Sequence, residues 1–316
     1  MPEPAQTSSP ATPRPGAAAP AVAMPKADRK GNPAILIAAI GGVAVILAII
    51  AAVLVLRKGS STAATPLPPP PAPVAVAAPV TPVQPSPSKP ATTAPGSLDQ
   101  CRAIWTFNQD SGNTVIDSTG NGNNATVTGS QPGWIKASNP DGAGLVLDGS
   151  NCAEAPAAVV NTAQSFTVAA RVRMDKMEAK KYQTFVSIDG KEISGFYLQF
   201  NPYAGGGTGR FEFDRMESDS KGGTKVAAKA KPAVSTNTWY HLTGVYDADA
   251  QSISIYLDGK FQDTVPYING WQATGKTAIG RGWISGHTGN FLTGAIRDVR
   301  FYPFALTADQ VKKISK

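Results

Sequence analysis

The chain is short of the residues that usually carry chemistry. Two histidines in 316 residues offer no metal pair: His241 sits inside the strand-like block TWYHLTGVY and reads as structural, and His287 lies in the glycine-bounded segment Gly280–Gly289. No G-x-S-x-G, H-E-x-x-H or phosphate-loop pattern occurs, so serine-elbow, zinc-protease and P-loop chemistry have no carrier. Cysteine is equally scarce. Cys101 and Cys152 show none of the spacings that hold zinc. They are either buried thiols or, in an oxidising compartment, a disulfide closing a loop of about 50 residues, worth roughly 4 kcal/mol in the chain-entropy account. The disulfide is the expectation adopted.

A large excess of one charge is also missing once the total is divided. The formal net charge is +7, but residues 1–98 hold seven Lys/Arg against two Asp/Glu; residues 99–316 keep 22 basic and 20 acidic residues, a balance of +2. So nearly neutral a region does not read as a nucleic-acid binder.

What the first hundred residues do have is proline, alanine and one long apolar run. Residues 1–33 are low-complexity Pro/Ala/Ser and read as a disordered tail. Ala34 to Leu56, AILIAAIGGVAVILAIIAAVLVL, contains no charged or polar side chain. As a helix it would span ~35 Å, enough for a hydrocarbon core of ~30 Å. A cleaved signal peptide is the competing reading, but its apolar stretch is shorter and starts nearer the N-terminus; a transmembrane anchor is expected. Arg14, Lys26, Arg29 and Lys30 precede the run and only Arg57 and Lys58 follow it, which puts the N-terminus in the cytoplasm and the remainder outside. Ala34, Ala38 and Gly42 form a small-residue stripe that would permit self-association. Residues 57–98, with LPPPPAP and TPVQPSPSKP, read as a stalk; its last 39 residues would reach about 120 Å if fully extended as polyproline II.

From Cys101 onward the strand period takes over. Phe166, Val168, Ala170, Val172 and Met174 alternate with Thr167, Ala169, Arg171 and Arg173, as in a half-buried antiparallel strand. Ile253, Ile255 and Leu257 repeat the pattern, and Asp258-Gly259 supply a tight hairpin turn. Further short runs occur at 103–107, 144–147, 184–188, 196–200, 210–213, 240–246, 277–279 and 296–301. Many short strands without intervening helices mean an all-β sandwich over residues 99–316. A single closing helix, capped by Thr307 with Gln310 and apolar at Val311 and Ile314, is expected at the sandwich edge.

The blocks AIWTFNQDSGNTVIDSTGNGNNATV, GLVLDGSNCAEAP, SFTVAARVRM, TWYHLTGVYDADAQSISIYLDGKF and FLTGAIRDVRFYPFALTADQV resemble, in that order, laminin-G-like, concanavalin A-like jelly-roll domains. The resemblance implies two curved antiparallel sheets and a module of adhesion, carbohydrate recognition or scaffolding, with a carbohydrate or protein ligand and no catalysis.

Three candidate sites follow. Asp117, Asn121 and Asn123 stand in an oxygen-rich, glycine-rich loop of the kind that suits Ca²⁺; similar domains carry a rim calcium with an acidic residue from the last strand, which would here be Asp298. The same Asn and Gly residues also serve turn geometry. Glu212, Asp214 and Glu217 fit the E-x-D-x-x-E spacing that laminarinase-type glycoside hydrolases, which share this fold, use for nucleophile, helper and acid. Strand parity places Glu212 and Asp214 opposite Phe211 and Phe213 but sends Glu217 to the other face unless a bulge intervenes. Binding without cleavage is therefore expected, with the hydrolase as the alternative. For the ligand, Trp283 with its neighbour His287 is the first choice among the loop tryptophans Trp134, Trp271 and Trp283. The run KGGTKVAAKAK, with Lys221, Lys225, Lys229 and Lys231, reads as a lysine-protected edge or as a patch for an acidic glycan or lipid surface.

Overall fold

The computed structural model describes residues 96–316. The expected tail (1–33), membrane helix (34–56) with its Ala34, Ala38 and Gly42 stripe, and nearly all of the stalk (57–98) lie outside the described residues. Among those described, no helix is long and apolar enough to cross a membrane.

Along the chain the first strands are β1 (Ala103–Trp105), β2 (Thr114–Val115), β3 (Ala125–Thr128), β4 (Gly133–Ile135), β5 (Gly144–Asp148) and β6 (Cys152–Ala155). Then come β7 (Phe166–Met174), β8 (Gln183–Asp189), β9 (Ser194–Asn201), β10 (Arg210–Met216), β11 (Lys225–Lys229) and β12 (Trp239–Asp247). The last are β13 (Ser252–Leu257), β14 (Lys260–Pro266), β15 (Thr277–Ile279), β16 (Gly282–Ile284), β17 (His287–Gly289) and β18 (Thr293–Tyr302), before one helix, α1 (Ala308–Ile314). One sheet, which we call A, runs β14-β13-β12-β7-β18-β5-β4, with β1 also on β18; the other, B, runs β11-β10-β9-β8-β15-β6-β3-β2. Both are antiparallel, and β16 and β17 pair as a separate ribbon. The fold is the expected concanavalin A-like jelly-roll sandwich.

The alternation in β7 does what its period dictates. Phe166, Val168, Ala170, Val172 and Met174 enter the core, where they meet Phe185, Phe196, Leu198, Phe211 and Phe213 from sheet B. Aromatic rings join the two sheets, for example Phe166 with Phe196 at 5.1 Å and with Phe213 at 6.1 Å. The β13–β14 turn is the expected tight one: Asp258 and Gly259 both take positive φ, 50° and 73°, the geometry that matches strand twist. At one end of the core Arg215 is fully buried without an acidic partner. It lies 4.4 Å from the Tyr246 ring centre and 4.6 Å from that of Tyr267. Its guanidinium donates to the carbonyls of Gly195, Thr162 and Trp271, tying the start of β9 to two loops.

Two sheet edges meet on one side. The backbone N–H of Lys229 in β11 donates to Asp263 Oδ2 at 3.0 Å, and that of Lys231 to Gln262 Oε1 at 3.3 Å, so side chains of β14 cap the open edge of β11.

Helix α1 has its capping box and packs on the outer face of sheet A, in contact with its edge strand β14: Val311 and Ile314 close over Cys101, Ala169, Val245 and Tyr302. One expectation is corrected: the disulfide does not form. Cys101 belongs to that outer cluster and its Sγ donates to the Phe301 carbonyl, whereas Cys152 lies beside Thr128 on sheet B and outside the main core. The two thiols point away from the core on opposite sides of the sandwich. Sheets stacked ~10 Å apart put that separation beyond disulfide reach.

Candidate functional site

The outer face of sheet B is the unusual one. An exposed sheet face normally carries solvated polar residues, yet β8 and β9 are buried along their whole length on both faces. The cover is the β16–β17 ribbon. Ser187 Oγ donates to the Arg281 carbonyl, Tyr197 OH to the Trp283 carbonyl at 2.5 Å, and the Trp283 N–H to Ser194 Oγ. What the ribbon covers is polar.

On β9 and β10 the core residues Leu198, Phe200, Phe211 and Phe213 alternate with Tyr197, Gln199, Glu212 and Asp214 on the outer face. Gln199 stands opposite Glu212 and Tyr197 opposite Asp214. Both carboxyls are fully buried. The Gln199 amide donates to Glu212 Oε1 at 3.1 Å and to Asp214 Oδ2 at 2.6 Å, and Asn201 donates to Glu212 Oε2 at 2.8 Å. Lys225 of β11 folds back onto the pair, hydrogen-bonded to Glu212 Oε1 and 3.7 Å from Asp214 Oδ2. Burial pushes the Asp214 carboxyl well above the usual carboxylate range, and neighbouring Glu212 pushes the same way against the pull of Lys225. The same two carboxyls outweigh burial at Lys225 and raise its ammonium. The Oδ1 of Asp214 has no hydrogen-bond partner among the described residues.

Asp214 lines a cavity of about 210 Å³. Tyr182, Tyr197, Gln199 and Lys225 form its floor and side, Ile284, Ser285 and Asn290 come from the ribbon and the residues after it, and Lys221 and Gly222 from the β10–β11 turn. The Lys225 ammonium lies 5.0 Å from the Tyr182 ring centre. A second ionic group stands elsewhere on sheet B: Arg281 pairs with Asp189 and Glu154, each at 2.6 Å, and Glu154 also with Lys276.

The sequence brought two of these residues forward and missed the rest. Glu212 and Asp214 share the outer face as parity requires. Glu217 is past the end of β10, joined to the turn by its N–H to the Thr224 carbonyl, and is not part of the cluster. Lys225 is exposed, as a solvated edge residue would be, but its ammonium reaches over to Glu212. Gln199 and Asn201 were legible only as polar residues alternating with phenylalanine and leucine.

Trp283 and His287 are not brought together. They belong to a paired ribbon, not a loop, in which Trp283 faces Thr288 and Ile284 faces His287; parity sets Trp283 and His287 on opposite sides. Trp283 is partly buried, donates Nε1 to the Lys191 carbonyl and lies 5.8 Å over Arg281, while His287 is exposed. Trp134 and Trp271 pack against the core, Trp271 donating to the Met216 carbonyl.

The calcium constellation does not assemble either. The Asp117 carboxylate accepts from the backbone N–H of Ile104, Thr119 and Asn123 and from the side chains of Thr119 and Asn123. Burial works to raise its pKa, but those hydrogen bonds prevail and hold it below the usual value. Asn121 and Asn123 donate to the Arg102 carbonyl. Asp298 pairs with Arg300 at 2.7 Å, and β1 stands between it and Asp117. The Asp117 carboxylate thus organises the turn through its own hydrogen bonds.

A family model described as the concanavalin A-like lectin/glucanases superfamily matches residues 147–312. No curated protein sequence matches the chain. Among solved structures, domain 4 of AbnA, an extracellular GH43 arabinanase from Geobacillus stearothermophilus in complex with arabinotriose, is 19% identical with a TM-score of 0.51, over 69% of this chain and 98% of that one. The binding domain of botulinum neurotoxin serotype D/C VPI 5993 is 16% identical with a TM-score of 0.51, over 69% of this chain and 52% of that one. The binding domain of Paraclostridial Mosquitocidal Protein 1 is 12% identical with a TM-score of 0.50, over 69% and 52%. This chain thus spans about half the length of the two toxin domains. At these identities the likeness is one of fold.

Proposed function

The chain belongs to the concanavalin A-like lectin/glucanase superfamily, and from that premise we propose that it is a non-catalytic glycan-binding module, held outside the cytoplasm by an anchor at residues 34–56. The observation that carries the reading is the unpartnered Oδ1 of fully buried Asp214 at the wall of the sheet B cavity. A buried polar atom left without a partner costs about 1–3 kcal/mol, and a sugar hydroxyl entering the cavity would supply one. Tyr182 and Tyr197 give rings beside it, and Gln199 and Lys225 give fixed polar groups. Apolar walls with a few convergent polar groups are the ordinary make-up of a small-molecule site. An arabinotriose-bound domain among the structural relatives accords with a sugar ligand.

Cleavage is disfavoured by the same geometry. Retaining hydrolysis needs two carboxyls flanking the scissile bond ~5–5.5 Å apart. Here one amide nitrogen, that of Gln199, bridges Glu212 and Asp214, which leaves no room for a sugar ring between them. Glu217 is outside the cluster. The test is a glycan-array screen of the full chain in detergent, followed by titration calorimetry on any sugar retained. Asp214→Ala should weaken that binding by about tenfold or more, the scale of a lost buried hydrogen bond, and Glu217→Gln should leave it unchanged. Hydrolysis of a bound glycan, abolished by Glu212→Gln, would overturn the binding-only reading.

A further inference from the structure

The Asp214 cavity has a neighbour that it does not itself require. Residues 177–180, ahead of β8, and residues after the end of β9 border a second cavity of about 420 Å³, twice the volume of the first. Its wall holds Met177, Phe200, Pro202 and Tyr203, together with Lys180 and Thr208. Five large hydrophobic side chains are exposed among the described residues, and two of them, Met177 and Tyr203, line this one cavity. Single exposed apolar residues are ordinary on a protein surface, whereas a cluster of them at a concavity marks a place where a ligand is met.

Tyr203 is held in position although its ring is 56% exposed. Its hydroxyl donates to the Lys180 carbonyl at 3.2 Å and its N–H to Asn201 Oδ1 at 2.9 Å. Gly209, at φ 75°, lets the turn after Tyr203 close onto the core; a Cβ there would stand 2.2 Å from the Phe200 ring. A platform fixed before the ligand arrives costs little ordering on binding.

Named groups join the two cavities. Tyr182 lines the first, with the Lys225 ammonium 5.0 Å from its ring centre, and the same ring lies 5.7 Å from that of Tyr203, which lines the second. Asn201 makes the same connection through its side-chain amide: the nitrogen donates to Glu212 and the oxygen accepts from Tyr203. A ligand seated at Asp214 and too large for 210 Å³ meets this tyrosine pair next. Sugar rings have an apolar C–H face and a hydroxyl edge, which suits an aromatic ring open to solvent with polar groups beside it.

We propose that the second cavity is a further sugar subsite, in which Tyr203 stacks on one ring of the glycan whose neighbouring unit sits at Asp214. The ligand is then a stretch of oligosaccharide and not a single terminal sugar. This inference rests on the glycan reading of the Asp214 cavity.

The test is titration calorimetry of the full chain in detergent with disaccharides and hexasaccharides of the cello-, laminari-, manno- and xylo- series. Longer chains also gain by offering more registers, so the diagnostic quantity is the change in the hexasaccharide-to-disaccharide affinity ratio on substitution. Tyr203→Ala should cut that ratio about tenfold, the scale of one lost aromatic contact. Tyr203→Phe should keep most of it, because the ring and not the hydroxyl does the stacking. Phe261→Ala, which removes another exposed ring, on β14 of sheet A, should leave it unchanged. A ratio unaltered in Tyr203→Ala, or cut equally by Phe261→Ala, would refute the subsite and leave the glycan reading standing. Failure of all four series to bind would also refute it; the glycan reading falls only if the array retains no sugar either.

Discussion

Replacing Asp214 by asparagine should reveal a buried proton through the pH dependence of stability. The amide is nearly isosteric and neutral at every pH. Its oxygen can take the Gln199 hydrogen bond that Asp214 Oδ2 accepts at 2.6 Å, so in acid, where aspartate is protonated in both folded and unfolded chains, the two proteins should agree within about 1 kcal/mol. Above pH ~4 the unfolded chain releases the proton, while the folded protein, whose Asp214 pKa is raised by burial and by Glu212, retains it. The folded state then binds more protons than the unfolded, so wild-type stability falls as pH rises, by about 1.4 kcal/mol per unit until the folded carboxyl ionises. The asparagine variant escapes that loss. Above pH ~4 it should become progressively more stable than wild type for as long as the folded carboxyl keeps its proton. Urea unfolding of both proteins from about pH 4 to 8, followed by tryptophan fluorescence, measures the difference directly. A difference constant with pH would refute the protonated Asp214. A wild type that gains on the variant as pH rises would show an ionised Asp214 stabilised by Lys225.

Three further outcomes follow from the same geometry. Arg281→Met should destabilise by about 3–5 kcal/mol in denaturant unfolding, because it strands the buried carboxylate of Asp189, while Glu154 keeps Lys276; a loss under ~1 kcal/mol would show the ionic group to be dispensable. Cys101 and Cys152, both buried and with thiols raised by desolvation, should resist a thiol reagent in the folded protein and both react in denaturant. Labelling of neither in denaturant before reduction would restore the disulfide. Protease added to intact cells or spheroplasts should remove the sandwich domain; full protection until lysis would reverse the proposed topology.

The strand architecture was legible because period-2 patterning reports which face a residue takes. The period-2 pattern over Phe166–Met174 matches the observed strand bounds, and Glu212 and Asp214 share one face of β10 as their spacing requires. Patterning does not report what covers a face. Glu212 and Asp214 look as solvated in the sequence as Arg171 and Arg173, yet both are fully buried, with the Lys225 ammonium laid over them. The ribbon itself was read as a loop, since Gly282-Trp-Ile and His287-Thr-Gly are three residues each and glycine obscures the period. The Asp117 loop misled for another reason: an oxygen-rich turn and an oxygen-rich cation site share a composition, and only the hydrogen bonds of the carboxylate tell them apart.

The capping of β11 by Asp263 and Gln262 has a meaning for how such domains behave in crowds. A sandwich has four open edges, and each can recruit a strand from another molecule. Here the last backbone donor of β11, that of Lys229, and that of Lys231 just beyond it are already engaged by side chains of β14. At the far ends the boundaries are β4, three residues long, and β2, two residues long, both too short to template an added strand. That leaves β14, which carries Lys260 and ends in Pro266, two residue types that discourage pairing. Packed side by side at high local density, copies of this domain would meet through side chains and not through continuous sheets, and would remain separate molecules.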